Sequence, residues 1–405
     1  DVVKCSADGK TQSKVETCST GKCSGDGVCV VKTRISANVS NLGGTWPSVA
    51  ALSSGGFVLT WVDAKPTANV VVARVYKADG TPIGAQFDVS ADASKPGDSR
   101  PAVAALGTGF AVAWTTTGNA SDIRLRRFDA TGKPAAADEA VAKTTQGIQK
   151  DPVMLSIASG LVVAWTSESV DAASTGVVMQ RYDTTGSKVG TETLVNAKTT
   201  TQANSEAGAE NSPAIAHAAK GGYVIAWISV NAGTGSVWAR AFDDKGASTS
   251  DVMPLSDTTG NINQLSVAIA SSGVGHAVWR QNNGANGWDV LALRFSSTLK
   301  PVGNAAVVHA TATGEQSLPA VTVATDGRMT MVWQSASKSD GYDMYVRDLL
   351  ATGAWTAADS IVVTPTTGEQ DQGRVLSFAD GRLLFVWRAR TSDITEKGKI
   401  EAEFR

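Results

Sequence analysis

Histidine occurs three times and proline twelve times in 405 residues, and no cysteine follows position 29. His217, His276 and His309 are expected in three different repeat units, which excludes a histidine metal site or a histidine acid/base dyad at this level of reading. No G-x-S-x-G elbow, P-loop or H-E-x-x-H motif is present. There is no run of eighteen apolar residues, so no membrane-spanning helix is expected. With 36 basic against 38 acidic residues, the formal net charge of -2 gives no field that attracts nucleic acid or an anionic membrane. Long apolar stripes at helical spacing are also missing, and 40 glycines suit short strands joined by turns.

What the chain does contain is a repeat. Trp61, Trp114, Trp165, Trp227, Trp279, Trp333 and Trp387 recur at spacings of 53, 51, 62, 52, 54 and 54 residues, each closing a short apolar run. The second unit shows the frame. Pro101 to Leu106 reads as a strand, Gly107 to Gly109 as a turn and Phe110 to Trp114 as a second strand. Ile123 to Phe128 is a third, Asp129 to Lys133 a turn with Gly132 placed for positive φ, and Glu139 to Ala142 a weak fourth. Four strands in about fifty residues make one propeller blade. A second aromatic follows each tryptophan, at Tyr76, Phe128, Tyr182, Phe242, Phe295 and Phe404, with Val346 or Leu349 in the sixth unit. Paired with the tryptophans, these side chains are expected to fill the layers between blades rather than stack on a ligand.

The seventh unit ends after its third strand, and Val31 to Asn38 reads as an extended segment without a partner. The fold expected is therefore all-β, a seven-bladed propeller over residues 31–405 whose ring is closed by the strand at about 31–38 completing the last blade. Residues 1–30 form a separate segment with almost no large apolar side chains, read as stapled by two disulfides among Cys5, Cys18, Cys23 and Cys29. Three connectivities are open, and intervening stretches of 12, 4 and 5 residues lack the paired knuckles of a zinc site. The start at Asp1 without a leader reads as a processed product, and with the cysteines it implies secretion or the outer cell surface. Asn38 and Asn119 match the glycosylation sequon, a common chance match in a serine-rich chain.

The stretch from about Val31 to Arg405 resembles bacterial seven-bladed propellers of secreted or surface type. The resemblance is carried by the run Asp122 to Gly132 and its cousin Val177 to Gly186, while the first thirty residues resemble the short Cys-rich leaders of some surface lipoproteins. Such propellers serve sugar binding, protein docking and enzyme scaffolding alike. No S-x-D-x-G-x-x-W box and no terminal Trp-Asp dipeptide is present.

Variable polar loops follow each repeat tryptophan, and loops on a rigid scaffold are the usual seat of binding. In units five and six, Asn283, Asn286, Trp288 and Asp289, then Asp340, Tyr342 and Asp343, set an aromatic beside carboxylates and amides, the pattern a sugar needs. The competing reading is that Asp122, Asp289 and Asp343 only cap loops. Asp98, Gln149, Glu210, Asn263, Gln316 and Gln370 recur before the inner strands, suited to ringing the channel or tying blades together. Trp46 is expected in a loop before the first unit, Trp238 between blades, and Trp355 in a loop before an outer strand. Carboxylate pairs such as Glu168 with Asp171, or Asp340 with Asp343, are weak candidates for catalysis.

These features lead to the expectation of a non-catalytic extracellular or cell-surface module, lectin-like, with a glycan or surface protein as partner. No cofactor is expected beyond loosely bound calcium. A structural or adhesive subunit docking protein partners is the alternative, and a carbohydrate-active enzyme a weaker one.

Overall fold

A computed structural model describes residues 3–5, 12–14, 22–23, 29–30, 34–37, 43–90, 99–116, 121–143, 146–168, 170, 175–196, 209–231, 233–256, 260–284, 287–310, 314–338, 341–356, 358–362, 368–390 and 398–405. From Arg34 onward the strands form seven four-stranded antiparallel sheets. Six are consecutive in sequence. The seventh joins Glu369–Ser377, Leu383–Arg390 and Lys399–Phe404 to Arg34–Ala37, as the sequence pattern predicts. In that closing ladder Ala402 faces Ile35 and Glu403 faces Arg34. In the first thirty residues two short ladders are described, and the second sets the Cys23 backbone opposite Cys29. The expected disulfides lie outside the described residues, because Cys18 and the side chains of the other three cysteines do; so do Asn38 and Asn119.

The core consists of seven apolar clusters, each spanning two neighbouring blades. Each contains one repeat tryptophan, and all seven are at most 1% exposed. Trp114 packs with Val58, Val71 and Phe128 between the first two blades, whereas Trp61 packs with Leu384, Ile400 and Phe404 across the closure. The second aromatic stacks within its own blade, as Phe110 does on Phe128 at 5.2 Å and Tyr223 on Phe242 at 5.3 Å. In the sixth blade the ambiguity resolves to Leu349, which pairs with Met329 in the register that Phe128 and Phe110 occupy.

Arginines tie blades together through backbone carbonyls. Arg126, Arg240 and Arg347 each reach back to the preceding blade, donating to the carbonyls of Val89, Val195 and Val308 at 2.9, 3.1 and 2.8 Å. Arg127 reaches forward to the Thr185 carbonyl at 2.8 Å. Its stem occupies the space a Cβ would need at Gly186, just as the Phe87 ring does at Gly132, and both glycines have φ near +90°. The repeated glycine in the turn before the outer strand thus meets two demands, a left-handed backbone and a side chain arriving from next door. Asp129, Asp183 and Asp243 open these turns by accepting two backbone N–H bonds each. The hydroxyls of Thr131 and Thr185, and after them those backbone bonds, hold the Asp129 and Asp183 carboxyls below the usual range.

Candidate functional site: the channel mouth

Each inner strand enters the ring from the face where the second-to-third-strand loops emerge, since Ser99 at its start pairs with Thr115 at the end of its neighbour. In all seven blades the register breaks at this same point, one example being between Ser99 and Ala102. The leading bulge residue has positive φ: Trp46 53°, Arg100 46°, Asp151 56°, Ser212 50°, Gln264 59°, Leu318 50° and Gln372 54°. None is glycine. A left-handed backbone at such residues costs on the order of 1–3 kcal/mol and persists only where the surroundings enforce it.

The sequence marks most of these positions. Pro47, Pro101, Pro152, Pro213 and Pro319 follow five of the seven, and proline at an interrupted ladder sacrifices no hydrogen bond while steering its predecessor out of the right-handed helical region. Glutamines reinforce the ring between blades. Gln264 Oε1 accepts the Leu318 N–H at 2.7 Å, Gln372 Oε1 accepts the Trp46 N–H at 2.5 Å, and Gln334 Oε1 accepts the Gln372 N–H at 3.0 Å.

The backbone repeats sevenfold, but the side chains it presents do not. On blades one to three the Arg100 guanidinium lies 4.9 Å from the Trp46 ring centroid and 2.5 Å from Asp151 Oδ1. Arg100 is half exposed and the Asp151 side chain 18% exposed, so both face solvent at the rim. They open onto a cavity of about 400 Å³, lined by the bulges of blades one to six, the residues directly after them, and Arg374 from blade seven. Trp46 therefore belongs to an inner strand, Gly44–Ala51, and not to a loop before it; the bulge displaces it from the alternation that would mark a strand. Apart from Trp46, sequence reasoning passes over these residues, although the X-Pro dipeptide at five equivalent positions signals them.

Blades five and six carry a second polar cluster on the same face. The Arg280 guanidinium covers the Trp288 ring at 4.0 Å, donates to the Gln316 carbonyl at 3.2 Å and meets Glu315 at 3.3 Å. Burial lowers its pKa, while Glu315 and Tyr342 act to raise it. Trp288 is thus roofed by an arginine, with Tyr342 within electrostatic reach. Asp289 accepts from Asn283 Nδ2 at 2.5 Å and meets His309 Nε2 at 2.9 Å. Asp343 is only 1% exposed. Asn286 and Asp340 lie outside the described residues.

His309 corrects one expectation. It follows the outer strand of blade five, Ala306–Val307, and so belongs to the blade that also holds His276. The two histidines sit at opposite ends of it: His276 pairs with Arg294, whereas His309 meets Asp289 beside Trp288. Burial, with Arg294 adding, pushes His276 down to about 4 from 6.5. The unfolded chain then takes up the proton first, so stability is full above pH 6.5 and is lost as pH falls toward 4, by up to about 3 kcal/mol. Denaturant midpoints measured across that window should fall in the native protein and fall less in His276→Asn.

Of the recurring polar residues that are described, Asn263 is half-buried and the three glutamines turn inward. Gln149, Gln316 and Gln370 are buried, and the first two donate to the carbonyls of Gln146 and Gly314 in the loops entering their own blades. They brace connections. Asp98 and the Glu210 side chain lie outside the described residues. Trp238 packs in the layer between blades three and four, and Trp355 lies under Arg347 at 4.9 Å. Among the described residues no cluster of His, Cys, Asp and Glu suited to a metal ion is found, and no helix is long and apolar enough to cross a membrane.

No family model matches the chain, and no curated protein matches it in sequence. Similar solved structures include a protein of unknown function from Dyadobacter fermentans DSM 18053, with 13% identity, 92% of this chain and 97% of that chain covered, and a TM-score of 0.55. The polysaccharide lyase Uly1 has 11% identity, with 90% and 89% covered and a TM-score of 0.57. Both likenesses are of fold. They nonetheless correct the expectation of a non-catalytic, lectin-like module that is not an enzyme, because a ring of the same extent is an enzyme acting on a polysaccharide. The absence of a linear catalytic motif carries no weight in a fold whose mouth is assembled from single residues of separate blades.

Proposed function

We propose that the chain is a carbohydrate-active enzyme that cleaves a polysaccharide at the channel mouth. The observation that carries this reading is the grouping of Trp46, Arg100 and Asp151 on adjacent strained bulges above an open cavity. A polysaccharide lyase that aligns over 90% of this chain and 89% of its own supports it by analogy of fold.

The composition of the mouth favours elimination over hydrolysis. Hydrolysis of a glycosidic bond normally uses two carboxyl groups flanking it. Among the described residues lining the cavity Asp151 is the one carboxylate, and it is accompanied by Arg100 and Arg374. Elimination needs one base and a cation. The base removes the proton α to a sugar carboxylate, that electron pair forms the double bond, the β carbon–oxygen bond breaks, and the departing chain takes a proton from water. In this scheme an incoming carboxylate draws Arg100 away from Asp151, which leaves Asp151 unpaired to accept the proton while Arg100 stabilises the charge developing on the substrate.

The test is incubation of the purified protein with a panel of acidic and neutral polysaccharides, following unsaturated ends by ultraviolet absorbance and reducing ends chemically. Cleavage of an acidic polymer with unsaturated ends is expected, lowered roughly 100-fold or more in Asp151→Asn. A panel left uncleaved would sink the proposal, and full activity in Asp151→Asn would remove Asp151 from the chemistry.

A further inference from the structure

We propose that the channel below the mouth binds the carboxylate of an acidic sugar, held by Arg374 with Arg100 above it. The position of Arg374, first after the bulge on blade seven, is occupied in the other six blades by Ser48, Ala102, Val153, Ala214, Ser266 and Ala320. Six uncharged, mostly small residues leave the space, and the seventh blade places a guanidinium in it. Among the described residues the only hydrogen bond of this side chain runs from Nη1 to the Gly373 carbonyl at 2.8 Å, and it has no ion-pair partner. Some arginines elsewhere in the ring are ion-paired. Arg388 is held by both oxygens of Asp371, and Arg100 by Asp151.

A guanidinium offers five N–H donors in a planar fork, and here four of them are unused by the protein. The fork matches a carboxylate in bidentate fashion. Charge balance agrees: the cavity is lined by two guanidiniums and one carboxylate, and that carboxylate is engaged at the rim. Burial and the nearby Arg100 also lower Arg374 to about 10, a proton affinity that an anion in the channel would restore. A cavity of about 400 Å³ admits a sugar ring. That the acid group belongs to a sugar rests on the proposed function; that the site takes a carboxylate rests on Arg374.

Calorimetric titration with glucuronate and galacturonate, against glucose, galactose, acetate and inorganic sulfate, tests the site without requiring cleavage. Saturable uronate binding is expected, with neutral sugars silent, and affinity falling roughly tenfold or more in Arg374→Ala. Arg374→Lys, which keeps the charge without the fork, should lie between. Arg374→Ala removes a desolvated cation without a carboxylate partner, so its thermal midpoint should be no lower than that of the native protein, and loss of binding is then separable from unfolding. Uronates binding no better than neutral sugars would overturn the proposal, as would native affinity in Arg374→Ala or tighter binding of acetate or sulfate than of uronate. Uronate binding through Arg374 in a protein that cleaves no polysaccharide would overturn the proposed function and leave this site standing.

Discussion

Deletion of residues 34–37 is expected to lower stability by about 5 kcal/mol or more and to promote self-association. Two losses combine. Ile35 is 6% exposed and packs in the layer that joins the seventh blade to the first, with Phe57, Ile400 and Phe404. Removing such a side chain alone costs about 2–5 kcal/mol. The strand Lys399–Phe404 also loses its partner along the whole described closing ladder, from Ile400 opposite Ala37 to Glu403 opposite Arg34. An unpaired edge of that kind recruits other chains. The control is Ile35→Ala, which lowers stability while keeping the ladder. Denaturant unfolding and size-exclusion chromatography should therefore find both variants destabilised and only the deletion self-associated. A deletion variant with the native elution volume and a native midpoint would show that the ring does not depend on this closure.

The second large effect is expected at the tryptophans. Trp165→Ala should cost about 3–5 kcal/mol, because Trp165 is 1% exposed among Leu125, Val141, Val163 and Tyr182 and belongs to two blades at once. Trp165→Phe keeps most of the apolar area, and the Trp165 indole N–H is buried without a hydrogen-bond partner, so this substitution should cost far less than the alanine. The same exchange at Trp279 should cost about 1 kcal/mol more than at Trp165, since Trp279 Nε1 donates to Gln281 Oε1 at 3.1 Å. Equal costs for Phe and Ala at position 165 would contradict a packing role.

The ring was legible because its cohesion repeats in sequence. Seven tryptophans at similar spacing, an aromatic or leucine in each third strand, and a last unit lacking one strand are all properties of neighbours along the chain, and they led to the blades and the closure. The mouth was not legible for the opposite reason. Trp46, Arg100 and Asp151 are more than fifty residues apart from one to the next and meet only because three bulges curve into one channel. Arg374 is set apart only by its six uncharged counterparts, which share its place after the bulge but lie far from it in sequence. The loops of blades five and six drew attention because their aromatics and acids are adjacent in sequence. In the structure Trp288 is covered by Arg280, and Asp289 is engaged with Asn283 and His309. His309 lies just past a two-residue outer strand, Ala306–Val307, too short to show in the sequence pattern where one unit ends and the next begins.

The seven bulges separate where a side chain is displayed from which side chain it is. Five are followed by proline and three receive a glutamine bond from a neighbouring blade, and the displayed positions already tolerate tryptophan, arginine, aspartate, serine, glutamine and leucine at nearly the same φ. The mouth therefore behaves as seven interchangeable sockets around one opening. Randomising the exposed sockets while leaving the prolines, Gln264 and Gln372 in place should yield folded proteins at high frequency, with altered ligand preference, and the same freedom would let lineages of this ring diverge in specificity while their scaffold stays constant.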